Sequence, residues 1–111
     1  MVKIGHNSHL GKFCIVVSQV GIAGSSTLGS GVVMAAQSGI ANHASIGDGA
    51  TVGGRGGVVT DVPAGATVSG FPAQDHKHEL RQITAVKHLP EALKSIRELK
   101  AKIEELADRC R

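Results

Sequence analysis

Tryptophan and tyrosine are absent from this 111-residue chain, which has only two phenylalanines, Phe13 and Phe71. Proteins that bind single-stranded nucleic acids stack the bases on aromatic rings, so the composition argues against that class. Cysteine is equally scarce. Cys14 and Cys110 form no CxxC pair, which argues against a disulfide framework and a cysteine-based zinc site. No apolar run is long enough for a signal peptide or a transmembrane helix. We expect a soluble protein of a reducing compartment, the cytoplasm.

Glycine and charge divide the chain into two parts. All 15 glycines lie within residues 5–70, where the formal charges are only Lys3, Lys12, Asp48, Arg55 and Asp61. Residues 71–111 lack glycine and hold nine basic and seven acidic side chains. The net charge of +3 is too small to indicate a nucleic-acid partner. A chain of this length suffices for one folding unit and a tail, and the composition of the tail predicts helix.

An aliphatic residue recurs at every sixth position of the first part. The series is Ile4, Leu10, Val16, Ile22, Leu28, Met34, Ile40, Ile46, Val52 and Val58. An α-helix has a period of 3.6 and a half-buried strand a period of 2, so neither explains the spacing. A period of six is typical of a coil with flat sides, each of which contributes one inward aliphatic residue before a corner.

Three such sides make a coil of eighteen residues, so each residue stacks on the one eighteen later, roughly 4.8 Å along the axis. The sequence therefore predicts an all-β solenoid, a parallel β-helix of hexapeptide repeats, over residues 1–60. The repeat stops after Val58, and the segment DVPAG predicts a turn out of the solenoid, with residues 61–73 as a capping loop. Residues 74–111 are predicted as a helical tail, broken at Leu89 so that Pro90 begins a second helix.

The tail contains an apolar heptad. Leu89, Ile96, Ile103 and Cys110 are seven residues apart, and Ala92, Leu99 and Leu106 lie three residues after the first three. This spacing is that of positions a and d in a short coiled coil. Two interpretations remain open, a helix packed on its own subunit and helices bundled between copies. A solenoid of little more than three coils has a small interior, which favours association, and we expect a homotrimer.

Histidines at the predicted corners are the candidates for chemistry. Counting by eighteens places Gly24 one coil above His6 and Asn42 two coils above it, with His43 beside that column. The ends of the column are then roughly 10 Å apart, a distance that a substrate can bridge. The alternative is that these are exposed corner residues without a function, since corners tolerate polar side chains. A metal site on His6 and His9 is not predicted, because no further ligand lies close in sequence.

The segments IGHN, GIAGS, IANHASIGDGATVG and DVPAGATVSGFPA resemble those of the UDP-3-O-(3-hydroxyacyl)glucosamine N-acyltransferases, enzymes of lipid A biosynthesis in Gram-negative bacteria. The resemblance covers residues 3–90 and corresponds only to the C-terminal part of those enzymes, without the N-terminal domain that grips the uridine. It implies a left-handed winding of the solenoid. It also implies transfer of a 3-hydroxyacyl group from acyl carrier protein to the amine of a UDP-glucosamine lipid A precursor.

The resemblance implies a role for each residue of the histidine column. His6 matches the general base, Gly24 the backbone N–H donor of the oxyanion hole, and His43 a second active-site histidine that assists substrate positioning. An amine that attacks a thioester must lose a proton, and an imidazole is suited to accept it at neutral pH.

Further residues are expected to bind the substrates. The residues expected to bind the nucleotide-sugar lipid precursor are Asn7, Asn42 and Arg55. A basic surface for the acidic acyl carrier protein would be formed by Lys77, Arg81 and Lys87, although a solvated helix face explains them equally well. No tightly bound cofactor and no metal are expected, because the acyl donor is the phosphopantetheine thioester of the carrier protein.

Three hypotheses follow, and the sequence leaves open whether the chain is an active enzyme. The first is the N-acyltransferase just described. The second is a non-catalytic trimeric module, a truncated remnant of that enzyme without its nucleotide-binding domain. The third is a small coenzyme A-dependent acetyltransferase, against which the segment VSGFPA argues mildly.

Overall fold

Short strands follow one another at intervals of six residues. The computed structural model describes residues 1–110 and separates into two compact units, Met1–Glu79 and Leu80–Arg111. The strands are β1 (Lys3–Ile4), β2 (His9–Leu10), β3 (Ile15–Val16), β4 (Gly21–Ile22), β5 (Thr27–Leu28), β6 (Val33–Met34), β7 (Gly39–Ile40), β8 (Ser45–Ile46), β9 (Thr51–Val52), β10 (Gly57–Val58), β11 (Thr67–Ser69) and β12 (Gln74–Asp75). One helix, α1, extends over His76–Arg109.

The strands form three parallel walls. Wall A contains β1, β4, β7 and β10, wall B contains β2, β5 and β8, and wall C contains β3, β6, β9 and β11, with β12 antiparallel at its edge. Each strand from β1 to β7 pairs with the strand three further along the chain, so Ile4 lies beside Ile22 and Ile22 beside Ile40. The predicted parallel solenoid with an eighteen-residue coil is confirmed. The left-handed sense of its winding stays a prediction.

In β1 to β11, the second residue of each strand points into the solenoid because side chains alternate along a strand. From the second coil onward these aliphatic residues are at most 7% exposed, and they form the core together with corner residues such as Val20 and Val32. The first coil is covered on one side only, so Ile4 remains 51% exposed. The hydrophobic repeat of the sequence is therefore the interior of the fold.

Met34 lies at the centre of this core, fully buried between Val16 and Val52 of the neighbouring coils. Replacing Met34 by alanine is expected to lower the free energy of unfolding by about 2–5 kcal/mol, because the cavity cannot collapse inside a regular stack. Urea denaturation measures the loss. Ile15→Ala is the control, since that side chain is outward and 58% exposed. Equal losses in the two variants would contradict this account of the core.

The corners have a left-handed backbone conformation at one fixed position. Nine successive corners have φ between 60° and 72° at the third residue after the inward aliphatic one. These residues are Asn7, Phe13, Gln19, Ser25, Gly31, Gln37, His43, Gly49 and Arg55. A positive φ costs an L-residue roughly 1–2 kcal/mol, and glycine avoids that cost. Hydrogen bonds between coils offset it, as where the Ser25 N–H donates to the His6 carbonyl at 2.8 Å.

The solenoid continues beyond Val58. Val62 pairs with Ile46, and β11 pairs with β9 through Thr67 and Thr51. Val62 and Val68 are both 7% exposed and belong to the core. The prediction of a turn out of the solenoid at DVPAG is therefore wrong. The segment winds a fourth coil, whose pairs are separated by sixteen residues instead of eighteen.

Helix α1 is continuous over 34 residues with Pro90 inside it. The predicted break at Pro90 is wrong, because proline removes one backbone donor and kinks a helix without always ending it. No residue of the helix is buried, and its apolar heptad is exposed, with Ile96 at 59% and Leu99 at 58%. Over residues 1–110, no helix has the length and apolarity needed to cross a membrane.

Candidate active site

The corner between walls A and B brings the predicted residues together, and we call it the histidine corner. Its lower three coils place His6, Gly24 and Asn42 in one column and Asn7, Ser25 and His43 in the next. The backbone connects the levels, since the Ser25 N–H donates to the His6 carbonyl and the His43 N–H donates to the Gly24 carbonyl at 3.4 Å. The stacking that the eighteen-residue count predicts is therefore present. The chemical roles of these residues stay predictions.

Gly24 offers a backbone donor at this corner. On either side of it, the Ala23 N–H donates to Ile40 and the Ser25 N–H donates to His6. The Gly24 N–H itself has no acceptor within residues 1–110. A Cβ at this position would lie 3.1 Å from the His6 carbonyl oxygen, so the close approach of the two coils favours glycine. The corner therefore presents an unused N–H on the level next to an imidazole.

The corner between walls B and C is different. The N–H of Ser30, which is equivalent in position to that of Gly24, donates to the Asp48 carboxylate at 2.8 Å. The N–H of Lys12 one coil below is 3.4 Å from the Ser30 hydroxyl oxygen. Both donors are thus occupied by side chains, and this corner contains no histidine. Of the A–B and B–C corners, only the A–B corner, the histidine corner, combines imidazoles with the unused N–H of Gly24.

The imidazoles of His6 and His43 are exposed. Within the described part of the chain, neither ring makes a hydrogen bond or an ion pair. Residues 1–110 also contain no group of three or more ligating side chains that could hold a metal ion. Both rings therefore have nitrogens available to bind a substrate or accept a proton.

Wall A provides a surface almost without side chains beside this corner. Its outward positions are Lys3 in the first coil and then Gly21, Gly39 and Gly57, stacked at intervals of eighteen residues. A Cβ on Gly21 would meet no atom within 4 Å, whereas a Cβ on Gly57 would overlap the ring of Phe71. The strip is thus open at the level of Gly21 and covered by an aromatic ring at Gly57. The regular spacing of these glycines is a sequence signal from which the strip can be predicted.

The other predicted residues do not all lie at the histidine corner. Asn7 and Asn42 do, but Arg55 lies at the corner between walls C and A, where its N–H donates to Ala36. Gln37 and Gln19, joined by a side-chain hydrogen bond of 2.7 Å, occupy the lower levels of the Arg55 column. The side chains expected to bind the carrier protein are exposed along α1 and are Lys77, Arg81 and Lys87.

Gly5 is required for the spacing of the first two coils. A Cβ at Gly5 would overlap the amide nitrogen of Gly24 and lie 2.7 Å from the carbonyl carbon of Ala23. Gly5→Ala is therefore expected to lower the free energy of unfolding by about 1–3 kcal/mol, measured by thermal or urea denaturation. Gly21→Ala in the second coil is the control, because its Cβ would enter open space. If Gly21→Ala destabilised as strongly, close contact between coils would not be the cause.

Comparison with known proteins relates the chain to one part of a group of enzymes. No protein-family model matches it. It is 62% identical over 106 residues to UDP-3-O-acylglucosamine N-acyltransferase 1 of Gloeobacter violaceus, covering 96% of this chain and 30% of that protein. It is 70% identical over 89 residues to the UDP-3-O-acylglucosamine N-acyltransferase of Granulibacter bethesdensis, covering 80% of this chain and 26% of that protein. The chain thus spans less than a third of the length of these two relatives.

Solved structures show a partial likeness only. Serine acetyltransferase from Neisseria gonorrhoeae superposes with a TM-score of 0.45 and 22% identity, covering 67% of this chain and 38% of that chain. A likeness of this extent carries no argument about function. The sequence relationship is closer, with 55–70% identity to curated relatives, and their C-terminal part is the part matched. The resemblance drawn from the motifs is thereby confirmed, and the chain is a homologue of the C-terminal part of the UDP-3-O-acylglucosamine N-acyltransferases.

Proposed function

We propose that the histidine corner is the transfer site of an N-acyltransferase, which moves a 3-hydroxyacyl group from acyl carrier protein to the amine of a UDP-glucosamine lipid A precursor. The observation that carries the proposal is the unused Gly24 N–H on the level next to the exposed His6 imidazole. A base and an oxyanion donor are the two groups that aminolysis of a thioester requires. The sequence relatives are named for their acceptor, a UDP-3-O-acylglucosamine, and we assign the same acceptor to this site.

The proposed reaction is an addition followed by an elimination. The acceptor amine attacks the thioester carbonyl carbon, the C–N bond forms, and His6 takes the proton that the amine loses. The carbonyl oxygen becomes an oxyanion, to which the Gly24 N–H donates a hydrogen bond. Collapse of this intermediate breaks the C–S bond, and the departing thiolate receives the proton from His6. A positioned base contributes about 10²- to 10⁴-fold and one oxyanion donor about 10²- to 10³-fold.

The neighbouring side chains of the corner would hold the sugar of the acceptor. His43 and Asn7 share the column beside His6, and Asn42 lies above Gly24, so all three offer polar groups within the same corner. An amide side chain both donates and accepts, which suits the hydroxyl groups of a sugar. His43 is proposed to position the acceptor amine rather than to exchange a proton with it.

The strip on wall A would accommodate the acyl or pantetheine chain of the donor. Gly21 and Gly39 leave the wall without side chains next to the corner, so an extended chain can approach the backbone closely. The thioester carbon would then meet the amine at the corner, where the two substrates arrive from walls A and B. No tightly bound cofactor enters this scheme.

The carrier protein would bind to basic side chains. Three exposed residues of α1 are proposed to receive the acidic surface of acyl carrier protein, namely Lys77, Arg81 and Lys87. Such contacts accelerate encounter more than they raise affinity, so the association rate should fall as salt is added. The two cysteines are free, which agrees with the reducing environment of the cytoplasm, where the carrier protein would be met.

The protein is proposed to act as a homotrimer. Positions a and d of the heptad on α1 are exposed, as illustrated by Ile96, Leu99 and Ile103 at 58–65%. An apolar stripe of this length in water favours association with a like stripe, since burial contributes about 25 cal/mol per Å². Heptad spacing suits a coiled coil between identical helices.

A reconstituted reaction tests the proposed function. The protein is mixed with 3-hydroxyacyl carrier protein and UDP-3-O-acylglucosamine, and amide formation is followed by mass spectrometry. Turnover with the carrier-protein donor is the expected result. Turnover with acetyl coenzyme A alone would replace the proposed donor by coenzyme A. Absence of turnover in a folded protein would leave a non-catalytic module and would overturn the proposal.

A further inference from the structure

The fourth coil is shortened at the histidine corner and nowhere else. Val58 still pairs with Ile40 at a separation of eighteen residues, whereas Val62 pairs with Ile46 at a separation of sixteen. The two missing residues therefore fall between Val58 and Val62, opposite the segment between Ile40 and Ile46 that contains Asn42 and His43. His43 is consequently on the last complete level of the corner.

The shortening removes a backbone acceptor that the lower coils possess. The N–H that begins each wall B strand normally donates to the residue preceding the next strand of the wall, as His9 does to Ser26 and Thr27 to Ala44, both at 3.0 Å. The equivalent N–H in the third coil is that of Ser45. It donates instead to the Asp61 carboxylate at 2.9 Å. A side chain therefore replaces the carbonyl that the shortened corner does not supply.

The two N–H groups at and just after His43 make long hydrogen bonds, whereas the carbonyls of Ala44 and Ser45 accept ordinary ones, from Thr27 at 3.0 Å and from Val62 at 2.9 Å. The His43 N–H reaches the Gly24 carbonyl at 3.4 Å and the Ala44 N–H reaches Ala41 at 3.4 Å, against 2.8 Å for the Ser25 N–H one coil below. His43 also has a positive φ of 62°, which a non-glycine residue adopts only when its surroundings impose it. Among the N–H groups of residues 43–45, that of Ser45 makes the shortest bond, at 2.9 Å to the Asp61 carboxylate.

We propose that Asp61 is a positioning residue for His43, whose carboxylate anchors the Ser45 N–H and so holds the His43 corner in the geometry that the acyl transfer uses. This inference rests on the proposed function. Asp61 does not touch a substrate in this account. It acts through the backbone of residues 43–45, and its effect on the rate comes from the placement of the His43 imidazole.

The chain contains a matched comparison. Asp48 makes the same kind of bond, accepting from the Ser30 N–H at 2.8 Å, but at the corner between walls B and C, which contains no histidine. Both carboxylates accept one exposed backbone N–H from the coil below. Loss of either one should therefore have a similar structural effect, and only loss of Asp61 should change the placement of a histidine.

The experiment compares Asp61→Ala, Asp61→Asn and Asp48→Ala in the full chain by two measurements. Amide exchange and the ring signals of His43 in NMR spectra report the anchoring, and initial rates of amide formation report its effect. Asp61→Ala is expected to speed exchange of the Ser45 amide about tenfold, to shift the His43 ring signals, and to lower kcat roughly 10- to 100-fold. Asp61→Asn retains an oxygen acceptor, so its Ser45 exchange rate and its kcat should both stay close to those of the wild-type protein. Asp48→Ala should speed exchange at Ser30 and leave kcat unchanged.

Two results would overturn the inference. One is Asp61→Ala with unchanged Ser45 exchange and unchanged His43 signals. The other is an equal loss of kcat in Asp61→Ala and Asp48→Ala, which would show a general structural effect. A wild-type protein without turnover would refute the proposed function and with it the role of Asp61 in transfer, while the NMR measurements would still decide whether the anchor exists.

Discussion

Replacing His6 by alanine is expected to lower kcat for amide formation by roughly 10²- to 10⁴-fold, the contribution of a positioned general base. The ring is exposed and makes no bond within residues 1–110, so its removal should leave the solenoid intact. The rate loss then reports proton transfer and not unfolding. Initial rates with saturating 3-hydroxyacyl carrier protein measure it, and circular dichroism checks the fold.

His9→Ala is the matched control. His9 is also an exposed histidine of the first coil, but it belongs to β2 in wall B and is not at the histidine corner. Its removal is expected to leave kcat within a factor of about two. If the two variants had equal rates, or if His6→Ala kept full activity, His6 would not be the base.

Replacing Leu99 by aspartate is expected to convert the proposed trimer into a monomer. Leu99 occupies position d of the heptad, so a three-helix seam would enclose three carboxylates in an apolar environment. Burial of unpaired charges costs several kcal/mol for each ion, which exceeds what one seam position contributes. Light scattering coupled to size-exclusion chromatography measures the mass.

Ala101→Asp is the control for this change, because Ala101 is at position f and places the same carboxylate on the outer side of the same helix. It should remain trimeric. A monomeric wild-type protein would show that the apolar stripe serves another purpose, and a trimeric Leu99→Asp variant would place the interface away from the heptad.

The predictable part of the site is the part built from regular coils. A constant step of six residues determines which side chains face inward and which positions are stacked, so His6, Gly24 and Asn42 could be placed in one column by counting alone. The same arithmetic failed for the fourth coil, because a two-residue shortening changes every later register without changing the local composition. It also missed the continuous helix, because proline weakens a helix locally and the neighbouring turns decide whether it ends.

The sequence by itself determined the three walls, the buried aliphatic columns, the histidine corner and the kinship with one group of acyltransferases. These features depend on local periodicity and on motifs that are read along the chain. Only the tertiary structure decided that the Gly24 N–H is unused, that the corner ends at His43, and that Asp61 replaces a missing acceptor. These features depend on which hydrogen bonds form between coils. Such bonds join residues sixteen or eighteen positions apart, so they can be identified only in the folded solenoid.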